Sequence, residues 1–432
     1  MKLPVDQLGQ RLAAALGADA VKLESRALAD YCVDGKPPSL ICSPDTPEQI
    51  ASALRLCAEA AAAVTPWGGG TAMATGNPPR AVDVVIDTHR LNRVIEHDHA
   101  NLTATAQCGI AVAALQALLA RQNQFLPFDP PHAARATLGG VLAANLNGPR
   151  RAYYGSVRDL VIGMKAVLAS GESIKVGGKV VKNVAGYDMG KLFVGSFGTL
   201  GIIIEATLRV APLPETAATV VAAGALSEVI QFIDDLSRSF LLPAATVFVN
   251  CQGGFDRREN WQVLVRCEGF AETVARQVAD TETLARRIGL VLTDKSDTDQ
   301  KRLWNHIEDF PLQPERLVFR VTVPRAAVAQ CARTLEEGGT AEFRPAIMSD
   351  ALTGTLWVAE PESRLSAQRF AQVLSLAEHC RGHAVLYAAP PQVKEKIDIW
   401  GPPPPAFSLM RDLKRQFDPA ALLNPGRFVG GL

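Results

Sequence analysis

Glycine-rich segments are the residues of this sequence whose spacing most directly suggests chemistry. The first is "TPWGGGTAMATG" at residues 65–76, the second "RATLGGVLAANLNGPRRAYYG" at residues 135–155, and the third "VGSFGTLGIIIEA" at residues 194–206. Glycine lets bare backbone approach a ligand, and successive inward N–H groups can hold a phosphate without any lysine. One such cluster could equally be a surface turn. Three clusters among the strands of one domain favour a phosphate cradle.

The chemistry of that cradle would rest on main-chain amides. No lysine occurs between Lys36 and Lys165, so backbone N–H groups and helix termini would carry the charge of the phosphate. The first segment is neither G-x-x-x-x-G-K-[ST] nor G-x-G-x-x-G, so the common nucleotide-binding loops do not explain it.

Overall composition excludes several classes of function. The 432 residues contain 44 Lys+Arg and 44 Asp+Glu, and this neutral balance argues against a nucleic acid partner. The N-terminal 21 residues have the pattern of an amphipathic helix rather than of a signal peptide, and no apolar run reaches transmembrane length. We therefore expect a cytoplasmic protein with no direct membrane insertion, associated with the inner membrane only through partners.

The eight cysteines do not form a metal site in the sequence. They are widely separated and include no C-x-x-C pair, so the clustered ligands of an iron–sulfur centre or structural zinc are missing. We expect them to be buried as small apolar side chains, and we predict no bound metal.

The elements that would position the glycines alternate between strands and helices. Residues 46–49, "TPEQ", combine a capping box with proline at the first helical position. Strands are predicted at 64–67, 82–86, 94–96 and 102–108, a helix at 111–121, and a hairpin turning at Ser170-Gly171. A strand over 202–210 should place Ile202, Ile204, Ala206, Leu208 and Val210 on one face.

The C-terminal half repeats one pattern twice. Strand, helix, two strands, helix and strand are predicted at 217–223, 227–240, 246–251, 261–267, 271–288 and 289–293. The same order recurs at 316–323, 324–337, 341–347, 354–359, 364–381 and 383–388. Each round is the β-α-β-β-α-β arrangement of a ferredoxin-like unit, and two units could form one continuous sheet.

These motifs together resemble a known family. "PWGGGTAMATG", "ATLGGVLAANLNGPRRAYYGSVRDLVIG", "KNVAGYDMGKLFVGSFGTLGIIIEATLRV" and the terminal "LNPGR" are similar to flavin-binding oxidoreductases of the vanillyl-alcohol oxidase type. Within that type, the chain resembles the FAD-binding E subunits of bacterial glycolate oxidases. The resemblance implies an α+β fold, with a two-subdomain FAD-binding domain and a C-terminal ferredoxin-like cap of tandem β-α-β-β-α-β units.

The resemblance also implies which residues hold the FAD. Pro66, Trp67, Gly68, Gly69, Gly70, Thr71 and Ala72 would wrap the pyrophosphate. Thr137, Gly139, Gly140, Ala143 and Asn145 would line the middle of the cofactor, with Tyr154 and Gly155 in the same wall. Gly201 and Ile203 would meet the adenine end. Asn424 and Arg427 would return from the C-terminus to the flavin ring, where a cation would stabilise reduced flavin.

Two departures from the family qualify this picture. Many relatives attach FAD covalently to a histidine in "GGH", and Gly70 stands at that place, so we expect non-covalent FAD. The "HxGDGNxH" motif of catalytic subunits is missing; His383 is its nearest candidate, although a core or surface histidine fits it better. Arg150 and Arg151 could clamp a substrate carboxylate, a partner subunit or the flavin phosphate. The proton acceptor is unassigned.

The expected organisation has four parts. Residues 1–40 would form an N-terminal helical extension, 41–214 the FAD-binding domain, 215–400 the α+β cap, and 401–432 a segment returning to the FAD-binding domain. The resemblance implies an FAD-dependent subunit of a glycolate oxidase-like complex that oxidises a small 2-hydroxy acid, with an iron–sulfur subunit and a catalytic FAD-dependent paralogue as partners. The alternative is a non-catalytic subunit that holds FAD and supports that paralogue.

Overall fold

The fold begins with a small sheet flanked by helices. We used a computed structural model that describes residues 3–178, 189–250, 261–293, 296–312, 316–339, 343–364 and 367–432. The "KNVAGYD" motif at 182–188 lies outside these residues. The first elements are α1 (Val5–Leu16), β1 (Val21–Lys22), α2 (Ser25–Ala29), β2 (Leu40–Cys42), α3 (Pro47–Glu59), β3 (Val64–Trp67) and β4 (Val84–Asp87). The sheet has the order β1-β2-β4-β3, with β2, β4 and β3 parallel.

The N-terminal residues are part of this sheet rather than a separate extension. β1 pairs with β2 antiparallel, and Leu8, Leu12 and Leu16 of α1 share one core with Leu54 of α3. The predicted helix start at α3 is confirmed, since the Thr46 side chain accepts a hydrogen bond from the Gln49 N–H group at 3.2 Å. The amphipathic helix predicted at the N-terminus is present as α1, and together with β1 it packs on the sheet that continues after residue 40.

A second sheet forms the other subdomain. Its elements are β5 (Val94–Asp98), β6 (Thr103–Gln107), α4 (Val112–Ala120), β7 (Gln124–Phe125), α5 (Leu138–Ala144), α6 (Arg151–Tyr154), α7 (Val157–Leu160), β8 (Val161–Val167), β9 (Ser173–Gly177), α8 (Gly190–Phe193), β10 (Ile202–Arg209) and β11 (Ala211–Pro212). The five-stranded antiparallel sheet has the order β5-β6-β10-β8-β9, and β11 pairs with β7. The hairpin turn at Ser170-Gly171 is confirmed between β8 and β9.

Strand β10 does not keep the single apolar face predicted for it. Ile202 and Ile204 pack into the core of the first subdomain, whereas Ala206 and Leu208 pack into the core of the second. The pairing of β10 with β8 shifts by one residue between Ile203 and Glu205. Such an irregularity turns later side chains to the opposite face, so this strand contributes to both cores.

The cap contains one eight-stranded sheet, and this confirms the predicted fold class. Its elements are β12 (Thr216–Gly224), α9 (Leu226–Arg238), β13 (Ala245–Val249), β14 (Trp261–Gly269), α10 (Ala271–Ile288), β15 (Val291–Thr293), α11 (Asp297–Asp309), β16 (Arg316–Thr322), α12 (Val328–Glu337), β17 (Ala346–Asp350), β18 (Thr355–Pro361), α13 (Ala367–His379) and β19 (His383–Ala388). The order is β15-β12-β14-β13-β17-β18-β16-β19, so antiparallel pairing of β13 with β17 joins the two units.

The two faces of the cap sheet have different roles. Helices α9, α10, α12 and α13 cover the outer face in a core that includes Phe232, Phe319 and Phe370. The inner face shares a core with the second subdomain through residues such as Val247 and Trp357. Helix α11 was not predicted, although Leu303, Trp304 and Ile307 have helical spacing and are buried.

The chain ends by returning to the first sheet. After α14 (Pro391–Lys394) and α15 (Phe407–Phe417), Leu423 bridges Val64 in parallel, beside the free edge of β3. Lys414 fastens this return, because its ammonium donates hydrogen bonds to the carbonyls of Thr199 and Leu423 at 2.7 and 2.9 Å. Among the described residues, no helix is both long enough and apolar enough to cross a membrane.

Candidate FAD cleft and substrate chamber

The three glycine segments meet in one cleft between the two subdomains. The cleft is a concave site lined by both apolar and polar groups, as small-molecule and cofactor sites usually are. Its walls are the loop after β3, helix α5, the start of β10 and the C-terminal return. It is lined by Pro66, Trp67, Gly68, Gly69, Gly70, Thr71, Ala72, Met73, Thr88, Thr137, Gly139, Gly140, Ala143, Ala144, Phe197, Gly198, Gly201, Ile202, Ile203, Asn424 and Arg427.

The loop after β3 presents unpaired amides at this wall. Strand β3 ends at Trp67, whose partner is Asp87 of β4. The N–H groups of residues 68–72 donate no hydrogen bond within the described part of the chain. The next donor is the N–H group of Met73, which reaches the Gly70 carbonyl at 3.5 Å. Five successive free N–H groups at a cleft wall can donate hydrogen bonds to an anion such as a phosphate.

The glycines also allow this loop to pack closely against the protein. A Cβ atom on Gly68 would lie 2.1 Å from Thr137 Oγ1, and one on Gly69 would lie 1.8 Å from the Arg135 carbonyl oxygen. Only Gly70 of the three has a positive φ, +66°. The glycines at positions 68 and 69 are thus required by close approach to the segment before α5, and only the one at position 70 by backbone conformation.

A buried charged cluster lies at the C-terminal end of the cleft. Arg427 is 3% exposed and donates to the carbonyls of Met73 and Thr75 at 2.9 and 2.5 Å. Lys394 forms an ion pair with Asp34 and also donates to the Ala74 carbonyl at 2.9 Å. Two cations thus share one buried carboxylate and hold the loop at 73–76 in place.

The Arg427 side chain retains capacity for a ligand. Its Nη1 has no hydrogen-bond partner in the described part of the chain, and its nearest charge is Asp34 Oδ2 at 3.9 Å. Burial lowers the pKa of Arg427 to about 10, against the opposing effect of Asp34, so the guanidinium stays charged at neutral pH. Asn424 Oδ1 is also buried without a partner, while Asn424 Nδ2 donates to the Phe197 carbonyl at 2.7 Å. Both orphaned atoms belong to cleft-lining residues.

The cleft brings together all but three of the residues predicted to hold FAD. Asn145 ends α5 in a left-handed conformation, with φ of 50°, and lines a second cavity instead. Tyr154 lies at the interface with the cap, where its hydroxyl donates to Glu268 at 3.0 Å. Gly155 ends α6 and lines neither cavity. The cleft is also lined by six residues that were not predicted from the sequence to hold FAD: Met73, Thr88, Ala144, Phe197, Gly198 and Ile202. For Phe197, Gly198 and Ile202, the third glycine-rich segment was a signal in the sequence.

The second cavity is a chamber between the FAD-binding domain and the inner face of the cap sheet. The chain crosses directly from cleft to chamber, because Ala144 lines the first and Asn145 the second. The chamber is lined by Pro131, Asn145, Leu146, Asn147, Gly148, Pro149, Arg151, Val247, Ile307, Glu308, Pro311, Arg320, Thr322, Met348, Asp350, Thr355, Trp357, His383 and Tyr387. We call these two spaces the cleft and the chamber.

Three side chains of the chamber, including Tyr387 through its hydroxyl group, have a buried polar atom that is unsatisfied within the described residues. Arg320 Nε and Asp350 Oδ1 have no hydrogen-bond partner within the described residues. The guanidinium of Arg320 lies 5.7 Å from the ring centre of Tyr387, and burial lowers its pKa. Burial raises the pKa of Asp350 to about 7. Orphaned polar atoms in a cavity are the groups that a polar ligand would satisfy.

The two predicted carboxylate clamps differ in position. Arg150 is held by Asp129 and by Glu268, whose Oε1 accepts from Arg150 Nη2 at 2.7 Å. Arg266 Nε lies 2.6 Å from the same oxygen. This interface network ties the cap strand β14 to the FAD-binding domain and leaves Arg150 unsuited to a substrate. Arg151, in contrast, lines the chamber.

His379 and His383 are four residues apart, a spacing that could bind a metal if both lay on one helix. His379 ends α13 and His383 begins β19, so their spacing is not that of one helix face. Within the described residues there is no group of three His, Cys, Asp or Glu side chains able to hold a metal ion. His383 lines the chamber, where burial and the charge of Arg320 lower its pKa.

Two segments that line the cleft match families described in known FAD-binding proteins. Residues 38–177 match a family described as "FAD binding domain", and residues 402–428 match "FAD linked oxidases, C-terminal domain". The chain is 28% identical to glycolate oxidase subunit GlcD of Bacillus subtilis, over 92% of this chain and 91% of that one. It is 26% identical to glycolate oxidase subunit GlcE of Escherichia coli, over 83% and 90%. These matches support glycolate oxidase subunits as relatives without singling out the E subunit.

A solved structure has the same fold. p-Cresol methylhydroxylase with substrate bound superposes with a TM-score of 0.77, covering 98% of this chain and 96% of that one at 16% identity. At this identity the likeness shows the fold alone. It agrees with the α+β architecture described above. The three glycine segments line the cleft, and the matched FAD binding domain meets the C-terminal return there.

Proposed function

We propose that this chain, whose residues 38–177 match an FAD binding domain and whose cofactor is FAD, oxidises a small 2-hydroxy acid such as glycolate or D-lactate. The observation that carries the proposal is that two unlike cavities lie next to each other along the chain, with Ala144 lining the cleft and Asn145 lining the chamber. The cleft offers free backbone amides and a buried cation, whereas the chamber offers buried ionisable side chains. A flavin-dependent dehydrogenase needs a cofactor site and, beside it, a polar site for the substrate.

The residues of the cleft fit FAD. The free N–H groups of residues 68–72 would hold the pyrophosphate, and the orphaned Arg427 Nη1 and Asn424 Oδ1 would contact the cofactor from the C-terminal side. The buried cluster of Asp34, Lys394 and Arg427 has one more positive than negative charge, which favours an anionic ligand or reduced flavin. Because Gly70 offers no nucleophile, we propose that FAD is bound non-covalently.

The chamber would orient the substrate. When bound, FAD supplies the acceptor for a hydride equivalent from the α-carbon of the acid. Arg320 would bind the carboxylate, because its Nε is buried without a partner and a guanidinium recognises carboxylates by paired N–H groups. Arg151 lies at the same chamber and adds positive charge.

The apolar part of the chamber would exclude water. Trp357, Met348 and Val247 lie on the inner face of the cap sheet beside the polar groups. Trp357 packs edge-on against Tyr387 with ring centres 4.9 Å apart. Exclusion of water strengthens the interaction between Arg320 and a bound carboxylate.

We also propose that the protein works in a complex. Electrons must leave the cofactor, and a separate iron–sulfur subunit would accept them. The similarity to both GlcD and GlcE is compatible with a second FAD-dependent subunit as a further partner. The alternative is a non-catalytic FAD-holding subunit, and the chamber argues against it, since buried charges without partners are costly in a purely structural protein.

Absorption spectroscopy of the purified protein tests the proposal. We expect a flavin spectrum that bleaches on anaerobic addition of glycolate or D-lactate. A stable flavin spectrum with either acid would favour the FAD-holding alternative, and a protein without flavin that takes up none would contradict both. Acid precipitation should leave a colourless pellet, because non-covalent FAD is released; a yellow pellet would contradict non-covalent binding.

A further inference from the structure

The chamber wall is a patch of side chains set side by side by strand register. Thr322 is paired with His383 on one side and with Thr355 on the other, and Thr355 is paired with Asp350. Asp350 is in turn paired with Val247. These five residues form one row across β19, β16, β18, β17 and β13, and all of them line the chamber.

A second row runs beside the first. Trp357 of β18 is paired with Arg320 of β16 and with Met348 of β17, and these three residues also line the chamber. Residues two apart on a strand point to the same face. Arg320 and Asp350 therefore share one face of the sheet, on strands separated by β18, with Thr355 and Trp357 between them.

Asp350 is the one carboxylate in these two rows. Its side chain is buried, its Oδ2 accepts a hydrogen bond from Thr353 Oγ1 at 2.7 Å, and its Oδ1 has no partner in the described residues. A carboxylate held through one oxygen and free at the other can accept a proton from a ligand without moving. The Thr353 hydroxyl fixes the orientation of the group.

We propose that Asp350 is the proton acceptor for the hydroxyl group of the 2-hydroxy acid. The inference rests on the proposed function. The O–H bond of the substrate breaks and its proton moves to Asp350 Oδ1, while the α-hydrogen leaves with the bonding electron pair to FAD. The carbon–oxygen bond becomes the carbonyl of a 2-oxo acid, so protons and electrons balance.

The surroundings of Asp350 agree with this role. The ionisable groups that line the chamber with it are Arg151 from α6, Glu308 from α11, Arg320 from β16, and His383 and Tyr387 from β19. Burial raises the pKa of Asp350 to about 7, and the Thr353 hydrogen bond and the charge of Arg151 oppose that rise. A general base is most effective when its pKa lies near the working pH.

Glu308 and His383 are the rival bases of the chamber. Burial raises the pKa of Glu308 to about 8, and the charges of Asp129, Arg150 and Arg266 in the interface network also act on it. His383 lies at the end of the first row, on the edge strand of the sheet. Neither residue has a buried oxygen or nitrogen without a partner, whereas Asp350 does.

Substitution of the three candidates in the full-length, FAD-loaded protein tests the proposal. Asp350→Asn should slow anaerobic flavin reduction by glycolate or D-lactate at pH 8 by roughly 10²–10⁴-fold, the usual contribution of a general base. In the wild type, the rate should fall about tenfold per pH unit below pH 7, and the variant should lose this dependence. His383→Gln and Glu308→Gln should keep the pH profile.

Binding of oxalate provides a readout that needs no turnover. A protonated Asp350 can donate a hydrogen bond to this dianion, whereas an ionised one repels it. The dissociation constant for oxalate, measured by calorimetry, should rise about tenfold per pH unit above pH 7 in the wild type. Asp350→Asn should show tight binding with less than a threefold change across the same range, and this would also prove that the variant is folded.

Each outcome decides between the alternatives. Equal reduction rates and equal pH profiles for Asp350→Asn and wild type would overturn the assignment of the base while leaving the proposed function intact. Loss of the pH dependence in His383→Gln or Glu308→Gln, but not in Asp350→Asn, would transfer the role to that residue. A wild-type flavin that neither acid reduces would overturn the proposed function and the proton-acceptor role with it.

Discussion

The cleft and the chamber recognise their ligands in opposite ways. The cleft wall is mostly main chain. Among the residues that the structure describes, it presents five free N–H groups and a series of glycines, with Arg427 as the single charged residue of the lining. The chamber wall is mostly side chains, including two arginines, two carboxylic acids and a histidine. The cleft therefore suits a ligand shared by a whole family, whereas the chamber can change its ligand by substitution of single residues.

The two cavities also differ in how the chain builds them. Three contiguous segments supply most of the cleft, so each carries a recognisable local motif. The chamber is assembled from five strands of the cap sheet together with α11 and the loop after α5, and no two of its polar residues form a motif. Its composition follows from strand register, which sequence reasoning rarely specifies.

The largest effect on FAD binding is expected from Gly69→Val. A Cβ atom there would lie 1.8 Å from the Arg135 carbonyl oxygen, so the loop must move away from the segment before α5 and its free amides must lose their alignment. FAD affinity should fall by more than about 100-fold, or roughly 3 kcal/mol. The measurement is titration of the FAD-free protein, monitored by quenching of flavin fluorescence.

Gly178→Ala is the matched control for that substitution. A Cβ atom on Gly178 would meet no atom within 4 Å, so FAD affinity should stay within about threefold of wild type. Normal flavin occupancy in Gly69→Val would show that FAD binding in the cleft does not need the close packing of this loop, and would contradict the contrast drawn between cleft and chamber.

Glu268→Gln should affect ligand binding in the chamber more than ligand binding in the cleft. Glu268 pairs with Arg150 and Arg266 at the interface between the cap and the FAD-binding domain. Loss of its charge removes the carboxylate partner of the largely buried Arg266 and leaves Arg150 paired with Asp129 alone. We expect a loss of about 3–5 kcal/mol in the free energy of unfolding. Because the chamber spans this interface and the cleft does not, affinity for oxalate should fall more than affinity for FAD.

An exposed ion pair gives the comparison for this change. Glu282 faces Arg286 on the surface of α10, with side chains 35% and 61% exposed. Glu282→Gln should change the free energy of unfolding by less than about 0.5 kcal/mol. Equal destabilisation by the two substitutions, measured by urea denaturation, would mean that the interface network is no more important than a surface pair.

The free energy of unfolding should depend on pH through a buried carboxyl group of the chamber. Because the pKa of Asp350 is raised to about 7, the folded protein retains a proton that the unfolded chain loses near pH 4. The contribution to stability is complete below pH 4 and is lost as the pH rises through 7, by about 2–4 kcal/mol. Asp350→Asn should remove this part of the decline in urea denaturation at pH 5 and pH 8, whereas Asp412→Asn, at an exposed site, should retain it.

The smallest effect is expected from Arg320→Met, and it has opposite signs for binding and stability. The KM for the acid should rise roughly 10–100-fold, or about 1.4–2.8 kcal/mol, because the carboxylate loses its cation. The free energy of unfolding should stay equal or increase by about 1 kcal/mol, because a buried charge with an unpartnered Nε is removed. Arg316→Met, at the exposed start of the same strand, should leave KM unchanged.

The sequence was most informative where local chemistry decides the structure. The residues around Gly69 and Gly139 could be placed in one site from their composition, and the spacing of apolar residues gave the two halves of the cap sheet. Tyr154 was placed beside the cofactor only by resemblance, and the structure puts it against Glu268, more than 100 residues later in the chain. Arg320 and Asp350 carried no signal, because a single ionisable residue in a strand is meaningful only once its neighbours across the sheet are known.

The central claim is that the free amides of residues 68–72 bind the diphosphate of FAD, and a crystal structure of the protein with bound FAD tests it most directly. We predict phosphate oxygens within about 3 Å of several of these nitrogen atoms, the usual hydrogen-bond distance. The claim would be contradicted if the diphosphate lay elsewhere, with the same amides hydrogen-bonded to the protein itself.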